Sequence, residues 1–390
     1  MRVGVLKERK RDERRVALRP DQTAALVAAG HEVLVEPGAG LASGFADADY
    51  AGSGAALDGR ERIYDASELL LKVKCPLPEE YGFLKRGHIV FAYLHFDENI
   101  APSEIERIVA TGITGIAYEW VEKSGTLPLL TPMSEITGAI FALRAMELLV
   151  EHAGVLGGGY VDGWPESQAI VIGAGHIGSN AINVLLRNRF RVVVVDKHPE
   201  TIEMRIRPYV DLGMWSDARP EIIRFDESSP GASLEEIRRH LPETAIVICA
   251  AVRRPSLPKS RCEYLIDRAG VAAMPEGSVL CDATACDRDL IETAVSSESL
   301  TETYVEEGTV HYNCDHIPSL VPATATKLLT DATFPYVEKL VRGFEDASRS
   351  DAPLRGATMC HRGKLTHAYS AEKKGLPHVS LEELLAGVQE

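Results

Sequence analysis

Apolar and polar positions along the first 130 residues alternate between two rhythms. Short continuous apolar runs, "RVGVL", "HEVLVE", "LLLKVK", "HIVFAYLH" and "ITGIAYEW", predict strands buried on both faces. "RPDQTAALVAAG" has helical spacing and ends at Gly30, a helix stop signal. "SEITGAIFALRAMELLVEHAG", residues 134–154, is a long apolar-periodic helix able to connect two domains. Beyond the glycines and proline of "GGGYVDGWPES", strand-like runs recur at α/β spacing: 169–172, 191–196, 221–225, 245–250, 278–283 and 309–314. Helical segments such as "SLEEIRRHL" fall between most of them. Strands alternating with helices predict a parallel sheet covered on both faces. "VPATATKLLTDATFPYVEKLVRGFED" is a second long helical region, expected to return the chain to the first domain. The expected fold is therefore α/β, with two Rossmann-like doubly wound domains, the first discontinuous, and a cleft between them. The boundaries predicted are 1–133 with 316–390 for a substrate domain, and 134–315 for a dinucleotide-binding domain.

The stretch "AIVIGAGHIGSNAINVLLRN" supplies the first chemistry. Gly173, Gly175 and Gly178 fit G-x-G-x-x-G between a strand and a helix, and Asp196 ends the next strand 18 residues beyond Gly178. Gly173 would permit the tight turn, Gly175 the approach of a pyrophosphate, and Gly178 close helix–strand packing. Free N–H groups and the helix dipole would hold the phosphates. A carboxylate at Asp196 can accept hydrogen bonds from an adenosine ribose and would repel the extra phosphate of NADP, so the expected cofactor is NAD. Ligands of open parallel sheets lie beyond the carboxyl ends of the strands. That rule selects the loops "AVRRPSLP", "ATACDRD" and "DHIPSLVPAT", and with them Asp282, Asp287, Asp315 and His316. In the first domain Lys74 and His95 end or follow apolar strands; the pattern alone does not separate them from Lys72 and His88.

The chain has 390 residues, room for two domains, and a net charge of −15. That charge argues against nucleic-acid and anionic-membrane partners. "KERKRDERR", residues 7–15, mixes its bases with three acids and does not by itself make a nucleic-acid binder. No apolar run approaches the ~20 residues of a membrane span. Seven cysteines, without paired metal-site spacing, read as reduced thiols of a cytoplasmic protein, and no metal is expected.

Several blocks in order carry a resemblance: "MRVGVLKERKRDERRVALRP", "LLLKVKCPLPEEY", "FAYLHF", "LPLLTPMSEITG", "AIVIGAGHIG", "TDATFPYVEKL" and "RGKLTHAYSAEKKGLPHVSLEELLA". The sequence resembles the alanine dehydrogenase family, whose relatives include the nucleotide-binding part of transhydrogenase and saccharopine dehydrogenase. The resemblance implies an NAD-dependent amino-acid dehydrogenase that reversibly deaminates L-alanine or a similar small L-amino acid to the 2-oxo acid and ammonia. It implies Arg15 on the substrate carboxylate, Lys74 on the carboxylate or carbonyl oxygen, His95 as general acid/base and Ser134 at the cofactor. A homo-oligomer is implied as well.

Two departures from the family pattern matter. The family has two aspartates four positions apart after the fifth strand. Here Asp282 and Asp287 are five apart and Cys286 is the ungapped match; Asp287 is expected in the catalytic place. In "YNCDHIPSLVPATAT", His316 stands where the family has asparagine and Ala323 where it has arginine. His316 is expected at the substrate. The "DHIPSL" form resembles saccharopine dehydrogenase and the N-(carboxyalkyl) amino acid synthases, which join a second amino acid to an oxo acid. An opine-type enzyme is therefore the alternative function, and a nucleotide-binding module without catalysis the third.

Overall fold

The structure is a computed structural model and describes residues 1–98, 100–206, 219–254, 256–284 and 286–386. The chain divides into two compact units, residues 1–133 with 319–390 and residues 134–318. The return to the first unit thus falls at Ser319, three residues beyond the point read from the sequence. The outward passage falls inside one helix, Thr131–Ala153. That helix begins three residues earlier than its apolar periodicity, because Pro132 is suited to a first turn.

The first unit contains strands β1 (Arg2–Val5), β2 (Glu32–Val35), β3 (Ala56–Leu57), β4 (Leu69–Lys74), β5 (Ile89–Tyr93) and β6 (Thr114–Ala117). The second contains β7 (Gln168–Ile172), β8 (Arg191–Asp196), β9 (Glu221–Arg224), β10 (Thr244–Cys249), β11 (Val279–Asp282), β12 (Tyr304–Glu306) and β13 (Thr309–His311). The first unit then adds β14 (Thr358–His361) and β15 (Lys364–Leu365).

The first sheet runs β15-β14-β6-β5-β4-β1-β2-β3, and the second β12-β13-β11-β10-β7-β8-β9. The pairings between β1 and β6 and those between β7 and β11, together with β11–β13, are parallel; β14 and β15 in one sheet and β12 in the other pair antiparallel. Six strands of each sheet follow the 3-2-1-4-5-6 order, whose switch point lies between β1 and β4 in one sheet and between β7 and β10 in the other.

Burial explains why these strands were legible. Every residue of β4, β5, β6, β7 and β10 is buried, as sheet strands covered on both faces must be. The first unit's core gathers Leu6, Ile63, Leu70, Val90, Phe96 and Ile108; the second's gathers Ile170, Val193, Val247, Leu280 and Ile291. β4 carries two lysines into that burial. Lys72, 1% exposed, is neutralised by Glu80 at 3.1 Å and Glu8 at 3.5 Å. A register shift between Leu71 and Lys74 then sets Lys74 opposite Tyr93. No described helix is long and apolar enough to cross a membrane.

Candidate active site

In the second unit the glycine loop follows β7 and opens the helix His176–Arg187. Gly173 has φ +86°, and a β-carbon there would lie 3.0 Å from the Ala251 nitrogen. At Gly178 a β-carbon would fall 1.8 Å from the Gly173 carbonyl oxygen, so this helix packs against its own loop. Gly175 differs: a β-carbon there would meet nothing within 4 Å. Its missing side chain serves no packing purpose, which fits a position kept bare for a ligand's approach.

Asp196, at the end of β8, accepts the Ala174 N–H at 2.7 Å and the His198 N–H at 2.7 Å. The carboxylate expected at a ribose thus also pins the glycine loop. Arg205 stands 3.6 Å from it. A cavity of about 290 Å³ begins at Gly173, Gly175 and Asp196 and extends past Lys197, His198 and Arg254. Bare glycine, helix N-terminus and the acid that ends the next strand together fit a dinucleotide. Ser134 is half-buried in the first turn of Thr131–Ala153. One turn on, Gly138 lets that helix cross the loop helix at Ile177, where a β-carbon would lie 1.9 Å from the carbonyl oxygen.

In the first unit the switch point is lined by charged side chains. Arg15, on the segment after β1, is 3% exposed. Its Nε and Nη2 donate to the two oxygens of Glu13 at 2.7 and 2.6 Å. Glu13 Oε1 also accepts the Arg15 N–H and the Ser319 hydroxyl. Burial alone would raise the Glu13 carboxyl, but the guanidinium charge and its hydrogen bonds outweigh that and hold it at about 2, with help from Lys74. Among the described residues Arg15 Nη1 meets the sulfur of Met133, at 3.3 Å.

Lys74, 6% exposed, brings Nζ to 3.5 Å from His95 Nε2. His95 follows β5 with φ +50°, a left-handed backbone uncommon outside glycine. Its ring stacks on Tyr93 at 5.5 Å and 12°. Glu119, just after β6, accepts the N–H groups of Leu94 and His95, the latter at 2.6 Å. Burial disfavours the charged imidazole and Lys74 opposes it, yet Glu98 and Glu119 outweigh them and raise its pKa. Burial likewise raises the Glu119 carboxyl.

The structure therefore brings Lys74 and His95 into contact and ties Arg15 to the same charge network through Glu13. It leaves Lys72 and His88 elsewhere: Lys72 in the ion pairs above, His88 buried with its pKa driven down to about 4 by burial. Asp287 is exposed, its Oδ1 accepting the Ser296 N–H at 2.8 Å. Asp282 is buried, and burial pushes its carboxyl up to about 6 against hydrogen bonds from Thr284. His316 lies in the second unit, fully buried, with Nδ1 2.7 Å from Asp315 Oδ1 and 3.3 Å from Cys314 Sγ. Those three residues, which no spacing rule singles out, hold potential metal-ligand atoms within 4.8 Å of one another. Of the loops selected by topology, Pro255 and Ala285 lie outside the described residues. Glu13, Glu98 and Glu119 were missed in the sequence; only their nearness to Arg15, His95 and β6 pointed to them.

Two sheets of 3-2-1-4-5-6 order, one bearing a glycine loop with its acid, define a two-domain α/β protein with a nucleotide-binding fold. Family models narrow this. Residues 4–137 match the alanine dehydrogenase/PNT N-terminal domain, and residues 139–368 its C-terminal domain. The chain is 34% identical to an alanine dehydrogenase of Staphylococcus haemolyticus over 99% of both chains. It is 33% identical to an alanine dehydrogenase of Bacillus subtilis over 99% of this chain and 98% of that one. A solved L-alanine dehydrogenase superposes with a TM-score of 0.79 at 31% identity, covering 96% of this chain and 99% of the other. A transhydrogenase structure from Sinorhizobium meliloti, with TM-score 0.73 and 22% identity over 95% and 100% of the chains, shares the fold. The chain belongs to the alanine dehydrogenase/PNT family.

Proposed function

We propose that this protein is an NAD-dependent amino-acid dehydrogenase that reversibly converts L-alanine, or a similar small L-amino acid, to the 2-oxo acid and ammonia. The observation that carries this reading is the pairing of Lys74 and His95 at 3.5 Å, one strand from Arg15, in a chain matched end to end by alanine dehydrogenases. NAD would be held by the N–H groups after Gly175 and by Asp196, with Ser134 in the adjoining helix. When bound, it supplies the hydride acceptor for oxidation and the donor for the reverse.

The chain's own groups do the rest. Glu13 occupies the Nε/Nη2 edge of Arg15, so the Nη1/Nη2 edge is the one left to grip a substrate carboxylate in two parallel bonds. The Met133 sulfur on that edge is a weak acceptor and is displaced at small cost. Lys74 holds the carboxylate or carbonyl oxygen, and His95 Nε2 exchanges the proton of the attacking or leaving water. Asp287 is retained as a candidate second proton carrier and His316 as a substrate-side residue.

The opine-type reading rests on "DHIPSL" and Ala323. Purified protein with NADH and pyruvate separates the two. Oxidation with ammonium alone supports the dehydrogenase; dependence on lysine or ornithine overturns it. NADH binding without turnover on either amine would mean a regulatory module. In the active enzyme, His95→Ala should lower kcat by about 10²–10⁴ and leave NADH affinity intact. Free thiols at all seven cysteines suit a reducing cytoplasm. Leu143 and Val150, each 49% exposed and seven residues apart on Thr131–Ala153, support assembly with further copies of the chain.

A further inference from the structure

His95 has two ring nitrogens with opposite neighbours. Nε2 faces the Lys74 ammonium at 3.5 Å. Nδ1 lies 3.1 Å from Glu98 Oε2 in an ion-pair contact and, buried, has no hydrogen-bond partner of full geometry among the described residues. Glu98 is not placed there by an accident of a loose side chain. Its N–H donates to the His95 carbonyl at 3.0 Å, closing a tight turn over 95–98. The Lys374 ammonium, on the helix Ala368–Lys374, donates to the carbonyls of Glu98 and Ile100. Beside them Trp120 donates to Asp97 at 3.2 Å, and Lys373 lies 3.9 Å from Asp97.

We propose that Glu98 is a positioning residue for His95: its carboxylate holds the proton of the neutral ring on Nδ1, so that Nε2 is the nitrogen left to exchange a proton with substrate. This role rests on the dehydrogenase reading above. A carboxylate accepts and does not donate, so it selects the Nδ1–H tautomer; this is the logic by which a base is oriented by a third group. Glu119 fixes the same residue from its backbone side, and Tyr93 fixes the ring plane. The charged or titratable groups facing His95 are thus Glu98 on its own turn, Lys74 on β4, Glu119 after β6 and Tyr93 on β5. Protonated His95 then sits between one cation and two carboxylates.

The test compares Glu98→Gln and Glu98→Ala in the full chain. Histidine ring resonances are followed by NMR against pH, and His95→Gln identifies the signal. Glu98→Gln removes the charge but keeps an acceptor for Nδ1–H. The His95 titration should move down by about 0.5–1 pH unit, with the acid limb of kcat/KM moving alike and kcat above that limb held within about threefold. Glu98→Ala should also lose the tautomer preference and lower kcat by roughly tenfold or more, with KM for NADH unchanged. An unmoved titration in Glu98→Gln overturns the proposal, even in an enzyme that turns over normally. A shifted titration in Glu98→Gln, alongside a wild-type protein that oxidises no amino acid, would instead defeat the dehydrogenase reading and leave the pairing standing.

Discussion

Glu13 and Arg15 are the most deeply buried ion pair among the candidate site residues, with side chains 0% and 2% exposed. Removing one partner strands the other. Glu13→Ala leaves a guanidinium in the core with its Nε/Nη2 edge unanswered. Two routes give the size of the loss. Breaking a buried pair by deleting one member costs about 3–5 kcal/mol. Independently, a carboxyl drawn from 4.5 to about 2 carries about 3 kcal/mol at 1.36 kcal/mol per pH unit. The sign follows from the direction. A carboxyl lowered in the folded state contributes fully above its unfolded value of 4.5 and loses that contribution as pH falls through about 2. The assay is urea unfolding at pH 7 and at steps down to pH 3. Glu13→Ala should lose about 3 kcal/mol at pH 7, and the gap to wild type should narrow below pH 4.5. Glu13→Gln combined with Arg15→Met fills the space without either charge. It should be less destabilised than Glu13→Ala, with a coupling energy of about 2 kcal/mol or more. A loss under about 1 kcal/mol for Glu13→Ala, or a cycle additive to within about 0.5 kcal/mol, would refute the reasoning.

The glycines of the cofactor loop should separate by cause. Gly175→Ala meets open space, so its melting temperature should match wild type while NADH affinity falls at least tenfold; Gly178→Ala drives a β-carbon into the Gly173 carbonyl and should lose both, as calorimetry and fluorescence titration would read. Equal thermal losses in the two variants would contradict this division. Asp196→Ala removes the acceptor of the Ala174 and His198 N–H groups, at about 1–3 kcal/mol for a charge-assisted bond. NADH binding should weaken by roughly 5- to 100-fold and the preference over NADPH should narrow; an unchanged NADH-to-NADPH ratio would remove the discriminating role.

How far the sequence reached depended on length and burial. Strands covered on both faces, such as β7 with "QAIVI", are continuous apolar runs and could be read directly. β3 and β15 are two residues each, β12 is three, and β3 is exposed throughout; none spans enough positions to show a period. β14, "TMCH", is wholly buried yet half polar, so it resembles neither a core strand nor an alternating one. The glycine loop was readable because backbone binding requires missing side chains, and glycine advertises that. The buried carboxylates of the first unit were not. "KERKRDERR" runs bases and acids together with no apolar spacing to mark a buried position, yet Glu8 and Glu13 have side chains 3% and 0% exposed. A glutamate's identity says nothing of its burial until its partner is known.

The two sheets share one strand order and put it to different uses. At the β7/β10 switch point the chain withdraws side chains, and main-chain N–H groups are what remain for an anion. At the β1/β4 switch point it does the opposite, filling the place with Glu8, Glu13, Arg15, Lys74 and, one strand away, His95. An internal carboxylate there has a consequence for recognition. Glu13 cancels the charge of Arg15, so under the proposed function Arg15 would contribute geometry more than attraction. Under the proposed function Lys74 and protonated His95 would be the net positive groups that draw in a carboxylate, with Glu98 and Glu119 tempering the second of them. A monocarboxylate needs only that modest field. A substrate with a second carboxylate would need a further cation at this sheet, since the open edge of Arg15 would already hold the first.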